Sequence, residues 1–291
     1  MTVDLLLLLT AAIWGFAFVA QRVGMSHMGP FTFNGIRFSL GALSLVPILI
    51  WQRRKNPATA GFSLKTYAVP IGLTGAVLFI ASSLQQVGLM GSTAGKGGFI
   101  TGLYVILVPL LALFWGQRTH IAHWTGALLA VFGLYLLSFE GGWTISPYDL
   151  VLLAGAFIWA VHVHLIAKYA DPVGPVRLAC MQFAVCGFLS LAAALFFEPI
   201  TISEIRDGLW TLLYGSFLSV GLAYTLQVIA QRTANPTHAV IILSLEGAFA
   251  ALGGWLFLHE AMAARTLLGA GLILIGTLVS QIFGIERKTT P

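Results

Sequence analysis

The chain has 291 residues, of which 58% are hydrophobic and only 9% are charged, and its mean hydropathy is +0.91. Because a soluble domain carries about 25% charged residues, this chain lacks the polar surface that a water-soluble globule of its size needs. The composition excludes a soluble enzyme, a nucleic-acid binder and a disordered protein, and it predicts an integral membrane protein. The net charge of +5 does not indicate nucleic acid, since the basic residues lie singly or in short clusters between apolar runs.

Ten apolar segments lie along the chain, each bounded by polar residues or by proline and glycine. Each segment is close to the ~20 residues that an α-helix needs to cross the bilayer. The connections between them are short, so almost no chain remains for a soluble domain. The sequence therefore predicts an all-α protein with ten transmembrane helices, at residues 5–24, 31–51, 65–89, 94–116, 121–139, 148–168, 174–196, 208–231, 236–258 and 265–285.

The basic residues divide unevenly between the two sets of alternate loops. One set has only Arg22, Arg206 and Arg265 near its edge. Because loops rich in lysine and arginine stay in the cytoplasm, the other set is expected there, together with both termini. An even number of spans agrees with that orientation. The expected cytoplasmic set is Arg53, Arg54, Lys55, Lys65, Arg118, Lys168, Arg177, Arg232, Arg287 and Lys288.

The chain carries a weak internal repeat. A shift of 145 residues places Ile13-Trp14 on Ile158-Trp159 and Pro30 on Pro175. The two predicted halves, residues 1–140 and 148–285, then hold five spans each. Because five is odd, the second half must enter the membrane in the opposite orientation, which makes an inverted 5+5 repeat. Secondary transporters use this organisation to alternate between two states around a central site.

Three stretches of the sequence carry a family resemblance. They are Ala-Ala-Ile-Trp-Gly-Phe-Ala-Phe at 11–18, Gly-Phe-Ile-Thr-Gly-Leu-Tyr-Val-Ile-Leu-Val-Pro at 98–109, and Leu245-Glu246 followed by small residues and then His259-Glu260. With ten spans in a 5+5 repeat, the chain resembles the EamA family of the drug/metabolite transporter (DMT) superfamily over nearly its whole length. Within that family it is closest to the YddG-type amino-acid exporters. Gly247 departs from the pattern, since the family often has proline after the acidic residue.

The resemblance implies a secondary transporter of the bacterial cytoplasmic (inner) membrane that exports small metabolites, above all amino acids, including aromatic and apolar ones. Export would proceed by alternating access through a central cavity between the two repeats. The implied partners are a small-molecule substrate and the lipid bilayer, and a monomer suffices because the duplication supplies both halves of a pathway. No enzymatic activity, cofactor, metal or nucleic-acid partner is expected. Uniport and proton-coupled antiport both remain open.

Other functions are alternatives to amino-acid export. An exporter of drugs, cations or other metabolites belongs to the same superfamily, and a cation exporter would depend on an acidic residue in mid-membrane. An intramembrane enzyme would need a nucleophile beside a base, or a metal site, at depth. His162 and Glu246 lie on different predicted helices, and no serine stands in a motif that marks an activated nucleophile, so this class is disfavoured.

Aromatic residues recur in the middle of the first and sixth predicted helices. Trp14, Phe18 and Gln21 fall at i, i+4 and i+7, on one face of the first helix. Trp159 and His162 share a face of the sixth. Indole rings from the two halves could stack on apolar substrate groups or attract an amine, and a histidine could bind a carboxylate or carry a proton. Ordinary packing between helices explains each of these residues equally well.

Polar and aromatic residues of other spans complete the predicted cavity. Neutral hydroxyl and amide groups could orient amino and carboxyl groups. Glu246 indicates a cavity or a proton site because an ionised carboxylate is costly within the bilayer, although a protonated carboxyl bonded to a neighbouring helix is an equal explanation. The predicted substrate-binding residues are Trp14, Phe18, Phe79, Ser83, Gln86, Tyr104, Trp159, His162, Tyr224, Ser244 and Glu246.

The fourth span carries the predicted hinge. Gly98 and Gly102 form a step of small residues that allows close helix approach, and Pro109 is expected to interrupt the helix by removing one backbone hydrogen bond. Static packing and a passive kink are the alternatives. Arg37 is expected at the periphery, as an interfacial anchor or a structural pair, and Lys96 is expected to snorkel to the surface.

Overall fold

The structure is a computed structural model that describes residues 3–55, 63–114, 116, 120–138, 146–260 and 264–283. Every regular element within these ranges is helical, and Tyr214–Tyr224 is a π-helical segment between α10 and α11. The α-helices are α1 (Val3–Gly24), α2 (Pro30–Lys55), α3 (Leu64–Leu89), α4 (Ala94–Gly102), α5 (Tyr104–Phe114), α6 (Ile121–Ser138), α7 (Pro147–Val173), α8 (Pro175–Phe197), α9 (Ile202–Asp207), α10 (Leu209–Leu213), α11 (Thr225–Gln231), α12 (Pro236–Leu243), α13 (Glu246–Leu258) and α14 (Ala264–Phe283).

Eight stretches of the described chain are long and apolar enough to cross a membrane. Two further apolar helices, Ile121–Leu136 and Leu267–Ser280, are shorter. The predicted helical membrane class is therefore confirmed, while the count of ten crossings stays a prediction. The eight stretches are Val3–Gly24, Pro30–Lys55, Leu64–Leu89, Ala94–Phe114, Pro147–Val173, Pro175–Phe197, Leu209–Gln231 and Pro236–Leu258.

Large apolar side chains stand on the outside of the helices. Phe196 is 84% exposed and Leu195 is 76% exposed, and Leu128 and Phe132 of α6 are exposed as well. Soluble proteins rarely carry apolar patches of this extent, whereas lipid tails solvate them. The exterior therefore agrees with the composition in placing the chain in a bilayer.

Glycines bring the helices of the bundle into backbone contact. A Cβ atom added at Gly126 of α6 would lie 2.6 Å from the carbonyl oxygen of Gly276 of α14, and the reverse addition gives the same distance. In the membrane there is little hydrophobic drive between helices, so small residues that permit close approach supply much of the packing energy. The extensive contact between α6 and α14 follows from these glycines.

Two of the membrane-length stretches are broken near their middle. In the first, α4 ends at Gly102, and α5 begins at Tyr104 after a turn at Leu103. In the second, α12 ends at Leu243 and α13 begins at Glu246. Bonds of the tighter i→i+3 type mark both breaks, from Ile106 N to Leu103 O (3.1 Å) and from Gly247 N to Ser244 O (3.1 Å).

The predicted interruption at Pro109 is wrong in position. Pro109 lies inside α5, which continues through it to Phe114, and the helix breaks instead at Leu103. Glycine at 102 disfavours helix, and the i→i+3 bond from Leu103 N to Ile100 O (3.2 Å) tightens the turn there. The predicted step of Gly98 and Gly102 thus ends at the break. Its action as a hinge remains a prediction.

The π-helical segment Tyr214–Tyr224 turns its small residues toward α1 and α2. The backbone oxygens of Ser219 and Ala223 accept hydrogen bonds from side chains of α1 (Trp14 Nε1, 3.3 Å; Thr10 Oγ1, 3.3 Å). π-Helical turns are rare and occur mostly at functional sites. The space between this segment and α1 is therefore a candidate functional site.

The carboxylate of Glu198, at the end of α8, caps the start of α2. It accepts hydrogen bonds from the backbone N–H groups of Phe31 and Thr32 and from the Thr32 hydroxyl, each at 2.7 Å. The first N–H groups of a helix have no partner within the helix, and a negative charge there also meets the positive end of the helix dipole. A remote residue thus fixes where α2 begins and joins it to α8.

Candidate functional site

A central cavity lies among α1, α2, α3, α4, α5, α7, the π-helical segment, α11, α12 and α13. The space between its side chains is about 440 Å³, a volume that includes space open to solvent. The lining residues are Trp14, Phe18, Gln21, Arg37, Gln85, Thr101, Tyr104, Trp159, Val163, Ser219, Tyr224, Gln227, Leu243 and Glu246.

Three aromatic rings form one wall of the central cavity. The ring centroid of Tyr224 lies 4.4 Å from that of Trp14 and 5.9 Å from that of Trp159. The interplanar angle is 57° to Trp14 and 28° to Trp159. Tyr224 thus sits between the two tryptophans that the internal repeat matches, and together they offer ring faces to an apolar or cationic group.

A chain of hydrogen bonds through glutamine side chains begins at one ring of this wall. The Trp159 indole N–H donates to Gln85 Oε1 at 2.8 Å, and Gln85 Nε2 donates to Gln21 Oε1 at 3.0 Å. Gln21 Nε2 in turn donates to the backbone oxygen of Ala17 at 3.2 Å. This chain ties α7, α3 and α1 together and fixes the orientation of the Trp159 ring at the cavity.

Several buried polar atoms of the cavity residues have no hydrogen-bond partner in the described structure. They are Thr101 Oγ1, Tyr104 Oη, Gln227 Oε1 and Glu246 Oε1. The Tyr104 hydroxyl lies close enough to the Glu246 carboxyl to interact with it, but not in the geometry of a hydrogen bond. An unpaired buried donor or acceptor lowers the free energy of unfolding by about 1–3 kcal/mol, so such groups are rare in proteins unless they have a function or bind water or an ion. Because these four residues line one space, a ligand or ordered water that enters it would satisfy them together.

Tyr104 and Glu246 come from the two broken stretches. Each is the first residue of the helix that follows the break, α5 and α13 respectively, and the Tyr104 side chain lies beside the Glu246 carboxyl. Broken helices expose helix ends and unpaired backbone at membrane depth, which is where transporters place substrate groups. Glu246 in particular stands at a helix N-terminus, where the helix dipole favours a negative charge.

Arg37 lines the central cavity, contrary to the expectation that it lies at the periphery. It is 1% exposed, and its Nε donates to Asn34 Oδ1 at 2.9 Å. The guanidinium carbon lies 4.9 Å from the Phe38 ring centroid. The side chain extends inward because Gly215 of the π-helical segment leaves room for it; a Cβ atom at Gly215 would lie 3.4 Å from Arg37 Cδ.

Six of the predicted substrate-binding residues line the central cavity, and five do not. His162 is fully buried, and its Nε2 is 2.9 Å from Gln182 Oε1. Its ring packs edge-on against Trp159, with centroids 5.5 Å apart, but it does not line the cavity. Gln86 donates to the Gln21 backbone oxygen at 3.3 Å, and Ser244 donates to Ile241 O at 2.7 Å. Phe79 and Ser83 are also outside the lining. The six residues that line the cavity are Trp14, Phe18, Tyr104, Trp159, Tyr224 and Glu246.

Sequence reasoning misses two lining residues that matter for the chemistry. It selects Gln86 rather than its neighbour Gln85, since adjacent helical positions point about 100° apart and only the partner helices decide which one faces the cavity. The arginine at position 37 inside a predicted span is itself the signal for an inward position, because a buried charge within the membrane needs a wet or polar site.

Lys96 is paired, where snorkelling to the surface was expected. Its Nζ lies 2.7 Å from Asp149 Oδ2, and Asp149 also accepts from the Ser146 backbone N–H at 2.8 Å. A neighbouring charged contact joins Arg22 to Glu260 at 3.9 Å. These pairs link α4 to α7 and α1 to the segment after α13, so they hold the cavity helices together at one end.

The site offers recognition chemistry. Hydroxyl, amide, guanidinium and carboxyl groups face one space beside three aromatic rings, while both cysteines, Cys180 and Cys186, are buried outside it. No group of three or more His, Cys, Asp or Glu in the described ranges is arranged to hold a metal ion. The arrangement can bind and orient a small molecule that has both charged and apolar parts.

Comparison with known proteins identifies the class to which this fold and cavity belong. The model of the EamA-like transporter family matches residues 1–139 and again residues 146–281. A protein of Archaeoglobus fulgidus described as an uncharacterized transporter is 32% identical over 281 residues, which cover 96% of this chain and 85% of the relative. The chain therefore belongs to the EamA family of the DMT superfamily, and it is a multi-pass membrane transporter rather than an enzyme.

Two relatives with more specific names come from bacteria. The threonine/homoserine exporter RhtA of Escherichia coli K12 is 27% identical, with 96% of this chain and 90% of the relative covered. A probable amino-acid metabolite efflux pump of Salmonella typhimurium is 28% identical, with 98% and 96% covered. A solved crystal structure of a protein superposes with a TM-score of 0.78 at 18% identity over 97% of both chains, which shows the same fold.

Proposed function

We propose that the chain crosses the membrane ten times as an inverted 5+5 repeat, with residues 1–140 and 148–285 as its halves and both termini in the cytoplasm. The packing supports this pairing: α2 lies along α8 and α6 lies along α14, which are equivalent helices of the two halves. The contact of α3 with α7 is matched by that of the π-helical segment with α1. The two broken stretches likewise fall at equivalent places, the fourth and the ninth.

The proposed activity is export of amino acids across the bacterial inner membrane by alternating access, with the central cavity as the substrate site. The observation that carries it is the cavity itself, in which both halves supply an indole ring and an unpaired polar atom. Trp14 and Thr101 come from the first half, and Trp159 and Gln227 come from the second. A site shared by two inverted halves can open to either side by their relative tilting.

Amino acids fit the mixture of groups at the site. The α-ammonium and α-carboxylate groups of an amino acid require polar partners. An apolar or aromatic side chain is accommodated by the rings of Trp14, Trp159 and Tyr224. The names of the exporters from Escherichia coli and Salmonella agree with that substrate class. Internal duplication makes a monomer sufficient for the pathway.

A second candidate, export of cationic drugs or metabolites, rests on Glu246. It is the one carboxylate among the lining residues of the described chain, and an acidic group in mid-membrane suits a cation. If cations are the cargo, Glu246→Gln should abolish their transport, whereas transport of cargo without a positively charged group should survive it.

The test is counterflow in liposomes that contain only the purified protein. Labelled L-phenylalanine and L-threonine are supplied outside, with the same unlabelled amino acid inside and with or without an imposed pH gradient. We expect saturable uptake of at least one of the two amino acids, and acceleration by the gradient if transport is proton-coupled. Saturable uptake of tetraphenylphosphonium without uptake of either amino acid would favour the cation exporter. Absence of flux for both amino acids would refute the amino-acid proposal.

A further inference from the structure

We propose that Arg37 and Glu246 bind the two ends of a zwitterionic α-amino acid in the central cavity, Arg37 its carboxylate and Glu246 its ammonium group. This inference rests on the proposed function, because it assigns the polar recognition of the amino-acid substrate. It makes Arg37 a substrate-binding residue.

The guanidinium of Arg37 lacks a carboxylate partner among the described residues. The ion pairs of those residues join Arg22 to Glu260, Lys96 to Asp149, Arg232 to Asp171, and His238 to Asp4. Arg37 instead bonds through Nε to the neutral Asn34 and lies against the Phe33 and Phe38 rings. Cation–ring contacts and one neutral acceptor leave the terminal N–H groups of the fork available to an anion.

Burial makes this unpaired charge informative. Arg37 is nine-tenths or more buried, since only 1% of it is exposed, and a charge in the membrane interior is rarely kept without a partner or a functional role. The side chain borders the central cavity. A planar guanidinium matches a carboxylate with two parallel hydrogen bonds, so a carboxylate in the cavity is the ligand that completes Arg37.

Glu246 is the complementary group. Its Oε1 atom has no hydrogen-bond partner in the described structure, and it is the first residue of α13. Tyr224 lines the cavity together with Arg37 and Glu246 and interacts electrostatically with both. No other Asp, Glu, Lys or Arg lines the cavity in the described chain, so the cavity holds one basic and one acidic side chain.

This charge pattern fits one chemical class of substrate. An α-amino acid carries one negative and one positive group and is itself neutral, so its binding leaves neither Arg37 nor Glu246 unpaired. An amine without a carboxylate leaves Arg37 unpaired, and an acid without an ammonium group leaves Glu246 unpaired. A site built around charged partners rejects a ligand that lacks one of them far more strongly than an apolar pocket rejects a missing methylene.

The test is competition against labelled L-phenylalanine counterflow, with phenylalaninamide as the analogue without a carboxylate and 3-phenylpropionate as the analogue without an ammonium group. For the wild-type protein we expect both analogues to compete at least about tenfold more weakly than phenylalanine. Equal competition by the amide or the acid would overturn the proposal without requiring any variant. Absence of phenylalanine counterflow in the wild type would instead count against the proposed amino-acid function for this probe and, with it, this assignment.

Variants of Arg37 and Glu246 test which group of the substrate, carboxylate or ammonium, each residue binds. In Arg37→Gln we expect the affinity for phenylalanine to fall at least about tenfold while that for phenylalaninamide stays unchanged, and Arg37→Lys should restore part of the loss. Glu246→Gln should show the opposite selectivity, with 3-phenylpropionate unaffected. Lys168→Gln removes an exposed positive charge outside the cavity and should match the wild type. If the Arg37→Gln protein elutes as a single species in detergent but loses affinity for phenylalanine and phenylalaninamide equally, Arg37 has a structural role only.

Discussion

Tyr104 and Glu246 occupy the same place in two broken helices, each as the first residue after the break, and both line the central cavity. The breaks at Leu103 and at Ser244-Leu245 bring helix ends to the middle of the molecule, where a continuous helix would present only side chains. This placement explains how an apolar bundle gains polar groups at its centre. It also brings one residue from each of the two segments that the family model matches to one site.

The indole N–H of Trp159 is expected to orient the ring for substrate. Trp159→Phe keeps an aromatic ring but removes the donor to Gln85 Oε1 (2.8 Å), so the amino-acid affinity should fall by about 1 kcal/mol, or about fivefold. Trp159→Ala should lower it further because the ring face is lost as well. The measurement is the half-saturating amino-acid concentration in counterflow.

A matched change elsewhere separates ring chemistry from general damage. Trp210 is 81% exposed on the lipid-facing side, and Trp210→Phe should leave the half-saturating concentration unchanged. If Trp159→Phe and Trp210→Phe behave alike, the orienting role of the indole N–H is wrong.

The amide chain from Gln21 through Gln85 to Trp159 is expected to couple three helices energetically. Gln85→Leu removes both of its hydrogen bonds, at 2.8 Å and 3.0 Å. Interhelical hydrogen bonds in membranes contribute about 0.6 kcal/mol on average and up to about 1.7. A double-mutant cycle of Gln85→Leu with Trp159→Phe, followed by thermal unfolding in detergent, should return a coupling energy in that range.

Additive effects of the two substitutions would mean that Gln85 and Trp159 do not interact in the folded protein. The pair His162 and Gln182, whose side chains lie 2.9 Å apart away from the cavity, offers a comparison cycle. It should show a similar coupling in stability but a smaller change in amino-acid affinity.

Close packing of α14 on α6 should depend on one glycine and not on another in the same helix. A Cβ atom at Gly276 would lie 2.6 Å from the Gly126 carbonyl oxygen, while at Gly271 nothing lies within 4 Å. Gly276→Ala should destabilise the protein by about 1–3 kcal/mol, the usual cost of overpacking. Gly271→Ala should be neutral or slightly stabilising, because alanine favours helix.

Both glycine variants are compared by the midpoint of unfolding in detergent. A tolerated Gly276→Ala with full stability would show that α6 and α14 do not approach as closely as described.

The Glu198 carboxylate is expected to hold the start of α2. Glu198→Ala leaves the N–H groups of Phe31 and Thr32 and the Thr32 hydroxyl without their acceptor, so we expect a loss of about 1–3 kcal/mol in stability. Glu198→Gln should lose less, because the amide oxygen can still accept. Amide hydrogen exchange at Phe31 and Thr32 measures the effect locally.

The control for that change is Asp207→Ala, which removes an exposed carboxylate at the end of α9. Unchanged protection of Phe31 and Thr32 in Glu198→Ala would contradict the capping role, and faster exchange in Asp207→Ala would show a general effect of charge.

Much of the helical frame is predictable from the sequence, because long apolar segments between polar breaks have few alternatives in a membrane. The aromatic pair Trp14 and Trp159 is also predictable, since the internal repeat aligns the two residues with each other. The breaks at Leu103 and at Ser244-Leu245 are not, because neither contains proline and each lies inside a stretch that is apolar enough overall to be one membrane-spanning helix.

Arg37 shows a different limit. Its depth in the second predicted span is visible in the sequence, but the neighbour that it faces is a matter of tertiary structure. The π-helical segment and Gly215 open the space into which the side chain extends. Helical periodicity assumes a regular helix, so it does not predict which side chains a π-helical segment turns toward its neighbours.

Protection of a single thiol by substrate shows directly whether an amino acid binds in the central cavity. Thr101 lines the cavity, and its hydroxyl has no partner among the described residues. The variant Thr101→Cys, made in a chain that also carries Cys180→Ala and Cys186→Ala, is treated with a small methanethiosulfonate reagent. Ser203→Cys, at an exposed position, serves as the control. We expect L-phenylalanine to slow modification at position 101 in a saturable way and to leave modification at position 203 unaffected. Modification of Thr101→Cys at the same rate with and without amino acid, in protein that still carries out counterflow, would contradict binding in the central cavity.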